Sequence, residues 1–261
     1  MAIRVVVWGE NIHDRENETV RKIYPKGMHG AIADALNKDK GIKAATATMD
    51  QPEHGLSQKL LDQTDVLTWW GHRNHGGVDD AIVERVAKRV WEGMGLIVLH
   101  SGHFSKIFRR LMGTPCSLTW REAGEKERVW TINRQHPIAQ GLDPWFVIPE
   151  TEMYGEPFLI PEPMETVFIS WYDGGEVFRS GVTFQRGGGR IFYFSPGHEV
   201  YPIYKDRNVG QVLRNAVNWA YNPAKPWKGV EIAPNRPTEK APEPITEKGP
   251  KLHKPGEEGL R

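Results

Sequence analysis

The sequence predicts an α/β protein: a mainly parallel sheet covered by helices on both faces, three layers in all, with an antiparallel extension. Near-continuous apolar runs recur at 3–8 (IRVVVW), 65–70 (DVLTWW) and 95–100 (GLIVLH). That is the texture of strands buried on both faces. Stretches of helical period stand between them, which implies right-handed crossovers and a parallel sheet. Beyond about residue 116 both patterns give way to short runs separated by turns, a meander of antiparallel strands extending the sheet.

In chain order, IRVVVW opens the sheet and GMHGAIADALNK (27–38) reads as a helix. DVLTWW is the next strand, and VDDAIVERVAKRVWEG (78–93) is a helix whose Ile82, Val83, Val86 and Val90 share one face, with Asp79 and Asp80 in its first turn. GLIVLH follows, and then the runs CSLTWRE, ERVWTI, VFISW, EVFRSGVTF and RIFYFS, with YDGG and QRGGGR as turns. A last helix over 206–221 places Val209, Val212, Leu213, Ala216, Val217 and Ala220 on one face. No internal repeat interrupts this order.

Composition narrows the function. With 261 residues and 39% hydrophobic content the chain can bury one sizeable core. The 34 Lys and Arg against 33 Asp and Glu leave a formal charge of +1 with no basic run, so nucleic acid and anionic membrane are poor partners. MAIRVVVWGE enters a strand directly, without a charged leader, and no apolar stretch is long enough to span a bilayer, which predicts a cytoplasmic protein. The single cysteine, Cys116, excludes an intrachain disulfide and a thiolate-rich metal cage.

In open parallel sheets ligands bind beyond the carboxyl ends of the strands. Five of the ten histidines fall in three such loops: His72 and His75, His100 and His103, and His198, with Glu10 and Glu199 in equivalent positions. Each imidazole alone reads as a half-buried cap on a strand end, whereas five at one edge suggest a site. The turn HSGHF at 100–104 admits three readings. A nucleophile elbow would use Ser101, but Leu99 stands two positions before it where a tight elbow wants glycine. Cys116 reads as part of a strand well after the turn, too far along to serve as an elbow nucleophile. A metal site has better material, since His and carboxylate ligands without thiolate suit zinc, manganese or ferrous iron in a three-ligand site with an open position. His72, His75 and His103 are candidates there, although neither His-x-x-His pair has helical i,i+4 spacing. The ten tryptophans, Trp70 and Trp120 among them, and Arg121 in TWREAGEKERVW could line a carbohydrate pocket, or serve the core and a solvated face.

The blocks WWGH (69–72), GMGLIVLHSGHFSKIF (93–108), WREAGEKERVW (120–130), HPIAQGL (136–142), EMYGEPF (152–158), GGEVFRSG (174–181) and IFYFSPGHE (191–199) resemble the trehalose-utilisation, or ThuA-like, family, over roughly residues 1–222. The resemblance implies a flavodoxin-like, class I glutamine-amidotransferase-like fold and a role beside sugar transport and oxidation, on sugars or 3-keto glycosides. It also carries the family's Gly-Leu-His element onto Leu99 and His100, its Asp/Glu-x-Tyr element onto Glu152 and Tyr154, and its Gly-His onto Gly197 and His198. The amidotransferase cysteine is replaced by His100-Ser101, so glutamine hydrolysis is not expected.

Together these predict an enzyme acting on a keto-sugar or glycoside. His100, His198 and Glu152 would be catalytic, and Glu10, Trp70, Ser101, Arg121, Tyr154 and Glu199 would contact the sugar. One divalent metal is possible and no nucleotide cofactor is expected. The alternatives are a non-catalytic sugar-binding or regulatory protein with the same pocket, and a serine hydrolase using Ser101. Residues 223–261 form a proline-rich arm, 221–261 holding eight of the nineteen prolines. Such an arm cannot build its own core. It is expected to dock through Trp227, Ile232, Ile245 and Leu252 on its own body or on a neighbouring subunit, making a homo-oligomer.

Overall fold

The computed structural model describes residues 2–224. The arm beyond 224, with its four proposed anchors and the oligomer they would hold, lies outside the described residues. Nine strands form one sheet: β1 (Ile3–Gly9), β2 (Ile42–Thr48), β3 (Val66–Trp70), β4 (Gly95–Leu99), β5 (Thr119–Thr131), β6 (Trp145–Gly155), β7 (Glu165–Tyr172), β8 (Val177–Arg186) and β9 (Gly189–Phe194), in the order β2-β1-β3-β4-β9-β8-β7-β5-β6. The first five in that order are mutually parallel and the rest antiparallel. Strand order 2-1-3-4 followed by a fifth parallel strand is the flavodoxin-like arrangement, whose ligand crevice opens where the strand order reverses, between β1 and β3.

Helices α1 (Ile12–Glu16), α2 (Glu18–Ile23), α3 (Gly27–Leu36), α4 (Gln58–Asp62), α5 (Asp80–Trp91), α6 (Lys106–Met112) and α7 (Arg207–Ala220) connect and cover the strands. Alternate residues of each central strand feed different layers, as a pleat of period two requires. Val5, Val7, Ile97 and Phe192 pack with Met28, Ile32 and Leu36 of α3 and Val209, Val212 and Leu213 of α7. Val6, Trp8, Leu67 and Val98 pack with Val83, Val86 and Val90 of α5 and with Ile107 and Phe108 of α6 on the opposite face. That double burial is why β3 and β4 read as unbroken apolar runs.

Two elements depart from the sequence reading. β2 escapes the apolar-run criterion because it is an edge strand with exposed positions at Lys43, Thr46 and neighbours. Cys116, expected on a strand, lies before β5, with a left-handed φ of 53° and a fully buried thiol. Its N–H bonds to Leu159 O and the strand begins three residues later, where β5 can pair with β6.

α7 lies close against the start of β4. A Cβ on Gly95 would stand 2.7 Å from the Ala220 carbonyl oxygen and 2.8 Å from its Cβ. Gly95→Ala should therefore lower unfolding stability by about 1–3 kcal/mol in urea denaturation through overpacking against backbone. Gly76→Ala, whose Cβ would meet nothing within 4 Å, should move it by less than about 0.5 kcal/mol.

Candidate functional site

The site begins where β1 ends. Glu10 is buried, and its carboxylate accepts the N–H groups of three consecutive residues after β3: His72 at 2.5 Å, Arg73 at 3.0 Å and Asn74 at 2.9 Å. These bonds satisfy a buried charge and fix the loop that carries His72. Asn11, in a left-handed turn with φ 63°, reverses the chain into α1 and brings His13 beside His72, ring centroids 5.2 Å apart.

β4 is followed directly by His100, whose own φ is 50°. A non-glycine residue here is the backbone signature of an elbow at a strand-to-helix turn, so the histidine itself occupies the strained position. Its Nδ1–H donates to Ser195 O at 2.8 Å, which turns Nε2 toward Glu152 Oε2 at 3.1 Å and the Tyr154 hydroxyl at 3.3 Å. The His100 and Tyr154 rings stack with centroids 4.7 Å apart. Glu152 and Tyr154 come from the far edge of the sheet. The β5–β6 pairing shifts register between Arg121 and Glu125 and again between Glu125 and Glu127, and such bulges bend a hairpin. Gly197 closes the back, since a Cβ there would lie 2.2 Å from the Tyr204 hydroxyl and 2.9 Å from His100 Cβ. His198 follows, its ring 5.5 Å from that of His100 and 5.8 Å from that of His72.

Among the described residues two triads that could hold a metal ion result, His13–His72–Glu199 and the fully buried His100–Glu152–His198, each with donor atoms within 4.8 Å of one another. Burial alone would push both carboxyls up. The His72 bond and the charges of His72, His198 and His13 outweigh it and hold Glu199 well below the carboxylate range. His100, His198 and His72 likewise hold Glu152 low. Burial opposes charge on His72 too, but Glu199, Glu152 and Glu10 prevail and raise it. His198 is pushed down to about 4 by burial and by His100, so its imidazole is neutral at pH 7. Burial, with Glu152 adding to it, keeps Tyr154 protonated.

A pocket of about 370 Å³ opens above these groups, lined by His72, His75, Ser101, Phe104, Trp120 and Glu152 among others. Its size lies within the range of small-molecule sites. Another pocket of about 320 Å³, bordered by Tyr24, Lys26, Lys38 and Lys205, has no comparable convergence of histidine and carboxylate. His72, His100, His198, Glu152, Tyr154 and Glu199 thus come together as the sequence suggested. Several candidates take other places. Ser101 Oγ donates to Gly71 O at 2.7 Å, tying two loops. Trp70 is buried, with Nε1–H on Gly197 O at 3.0 Å. Arg121 bridges Glu125 and Glu176 on the surface. His75 stands against Phe104, and His103 donates Nδ1–H to Cys116 O at 2.6 Å. Neither histidine belongs to a triad. Sequence reading missed His13, although it lies three residues beyond Glu10, in the first turn of α1. Glu122, which the sequence offered beside Arg121 as a pocket or solvated-face residue, reaches within 3.7 Å of His198.

Comparison with known proteins places this geometry. Residues 4–220 match the profile of the family described as ThuA, trehalose utilisation. Among solved structures, a protein of Parabacteroides merdae described as ThuA-like superposes with a TM-score of 0.64 at 14% identity, covering 84% of this chain and 90% of the other. A cytoplasmic protein from Salmonella typhimurium gives 0.57 at 13% identity over 84% and 99%. PurLQS from Thermotoga maritima gives 0.53 at 15% over 84% and 99%. These likenesses establish the fold. No curated protein matches the sequence. Among the described residues no helix is long and apolar enough to cross a membrane.

His103 carries a measurable consequence. Burial, aided by the charges of His100 and His75, lowers it from 6.5 to about 3, so the fold holds it neutral while the unfolded chain protonates it. Its contribution is complete above about pH 6.5 and is lost as pH falls toward 3. At about 1.4 kcal/mol per pH unit, about 2–3 kcal/mol should be gone by about pH 4.5. Urea midpoints across that range should fall more steeply for the wild type than for His103→Gln; parallel curves would contradict the assignment.

Proposed function

Since the chain belongs to the trehalose-utilisation (ThuA) family, we propose that it is an enzyme of sugar utilisation acting on a keto-sugar or glycoside, with Glu152 and His100 as its proton-transfer pair. The observation that supports this best is the buried Glu152 Oε2. It has no hydrogen-bond partner, lies 3.1 Å from His100 Nε2, and borders a pocket rimmed by the exposed indole of Trp120. A carboxylate buried beside imidazoles is costly in a fold and useful in a reaction.

The roles follow from the protonation states. Glu152, held ionised, is the base that removes a proton from the carbon beside the sugar carbonyl. The proton passes into the Glu152–His100 contact, where the bond to Ser195 O fixes the ring so that Nε2 faces the carboxylate. From there it returns to the oxygen of the departing group. Neutral His198 supplies a second imidazole for the same transfer, and Tyr154, protonated and within hydrogen-bond reach of His100 Nε2, donates to a substrate oxygen. Trp120 and Phe104 offer flat apolar faces to a sugar ring. A divalent cation in the pocket would polarise the carbonyl or an adjacent hydroxyl as a Lewis acid.

Product formation from a 3-keto glycoside and from trehalose, followed by NMR, tests this. Glu152→Gln should lower kcat by about 10²–10⁴-fold with little change in KM, and His100→Ala should lose a similar factor. A wild-type protein that binds these sugars without turnover, or a Glu152→Gln variant of full activity, would favour the sugar-binding reading instead.

A further inference from the structure

His13 Nε2, His72 Nδ1 and Glu199 Oε1 form a nearly equilateral triangle. The histidine nitrogens are 3.2 Å apart, His72 to Glu199 is 3.1 Å and His13 to Glu199 is 3.4 Å. A tetrahedral zinc-type ion with donors at about 2.0–2.1 Å requires neighbouring donors about 3.3 Å apart. We propose that these three residues hold a divalent cation of the zinc class, beside the pocket that His72 lines.

Hydrogen bonding alone serves this triangle poorly. Two ring nitrogens 3.2 Å apart can share one proton, and a second would set two like charges against each other. A cation accepts all three lone pairs at once. Glu199 is nearly completely buried, and its other oxygen, Oε2, has no hydrogen-bond partner, a state that an adjacent ion would compensate. The backbone that carries these donors is also held in place. Glu10 binds the His72 backbone N–H at 2.5 Å, and Asn11, which turns the chain toward His13, donates to Asp50 at 3.0 Å.

The neighbouring triad is less suited. His100 and Glu152 make one edge of 3.1 Å, but His198 Nδ1 accepts the Val200 N–H at 3.4 Å and leaves its proton on the other nitrogen. The ion therefore belongs to the His13 triad, and His75 and His103 give way to His13 and Glu199 as partners of His72. The assignment concerns binding alone and does not depend on the sugar chemistry.

The test uses full-length protein stripped by dialysis against a chelator, then titrated with Co²⁺ by visible absorption, with Zn²⁺ in competition. The expected result is an ion with tetrahedral Co²⁺ bands, displaced by Zn²⁺. His13→Ala and Glu199→Gln should each weaken binding at least about 100-fold, and His100→Ala should retain it. His13 keeps 18% of its side-chain surface exposed and is not part of either core cluster, and circular dichroism verifies that each variant folds. Wild-type protein that binds neither ion, His13→Ala and Glu199→Gln variants of undiminished affinity, or a loss confined to His100→Ala would overturn the assignment.

Discussion

The Glu10 carboxylate, bound by the N–H groups of residues 72, 73 and 74, joins the loop after β1 to the loop after β3 across the point where strand order reverses. Everything above it inherits that junction. A buried carboxylate is tolerated because three donors surround it, and those donors are available because the loop has no secondary structure of its own to consume them. His72 is oriented by this contact, Ser101 ties the next loop to Gly71, and Ser195 holds His100. Neighbouring loops thus brace one another at the crevice.

The position at the end of β4 shows how such a scaffold changes chemistry. Its left-handed backbone presents one side chain sharply into the crevice, the geometry in which nucleophile elbows hold serine or cysteine. Here the residue is histidine. An imidazole held that way accepts a proton or a lone-pair partner where a thiol would attack a carbon. The fold likeness to PurLQS therefore says nothing about shared reaction.

Much of this was legible in the sequence because burial on both faces leaves a continuous apolar signature, as in β1, β3 and β4. β2 was illegible for the converse reason: an edge strand with solvent on part of its surface has no such signature. The site was legible in the strand-end loops, where position in a parallel sheet fixes position in space. Glu152 and Tyr154 lie on an edge strand remote in sheet order, and only the two register breaks of β5 bring them over, which no periodicity encodes. Family resemblance identified them where local pattern could not. Arg121 and Ser101 show the opposite error, because a polar side chain near a site can be spent on a surface ion pair or a loop tie.

The last strand of the sheet to be synthesised, β9, lies between β4 and β8, near the middle of the strand order. Among the described residues it alone joins the parallel half to the antiparallel half, and His198 and Glu199 lie in the loop that follows it. A nascent chain that has emerged only through β8 can pair β1 to β4 among themselves and form its meander, but those two parts share no ladder. Their union waits on pairings distant in sequence, the slow kind in folding. Both triads are completed by the same event, so a partly made chain has no rudimentary version of the site that could engage a ligand early.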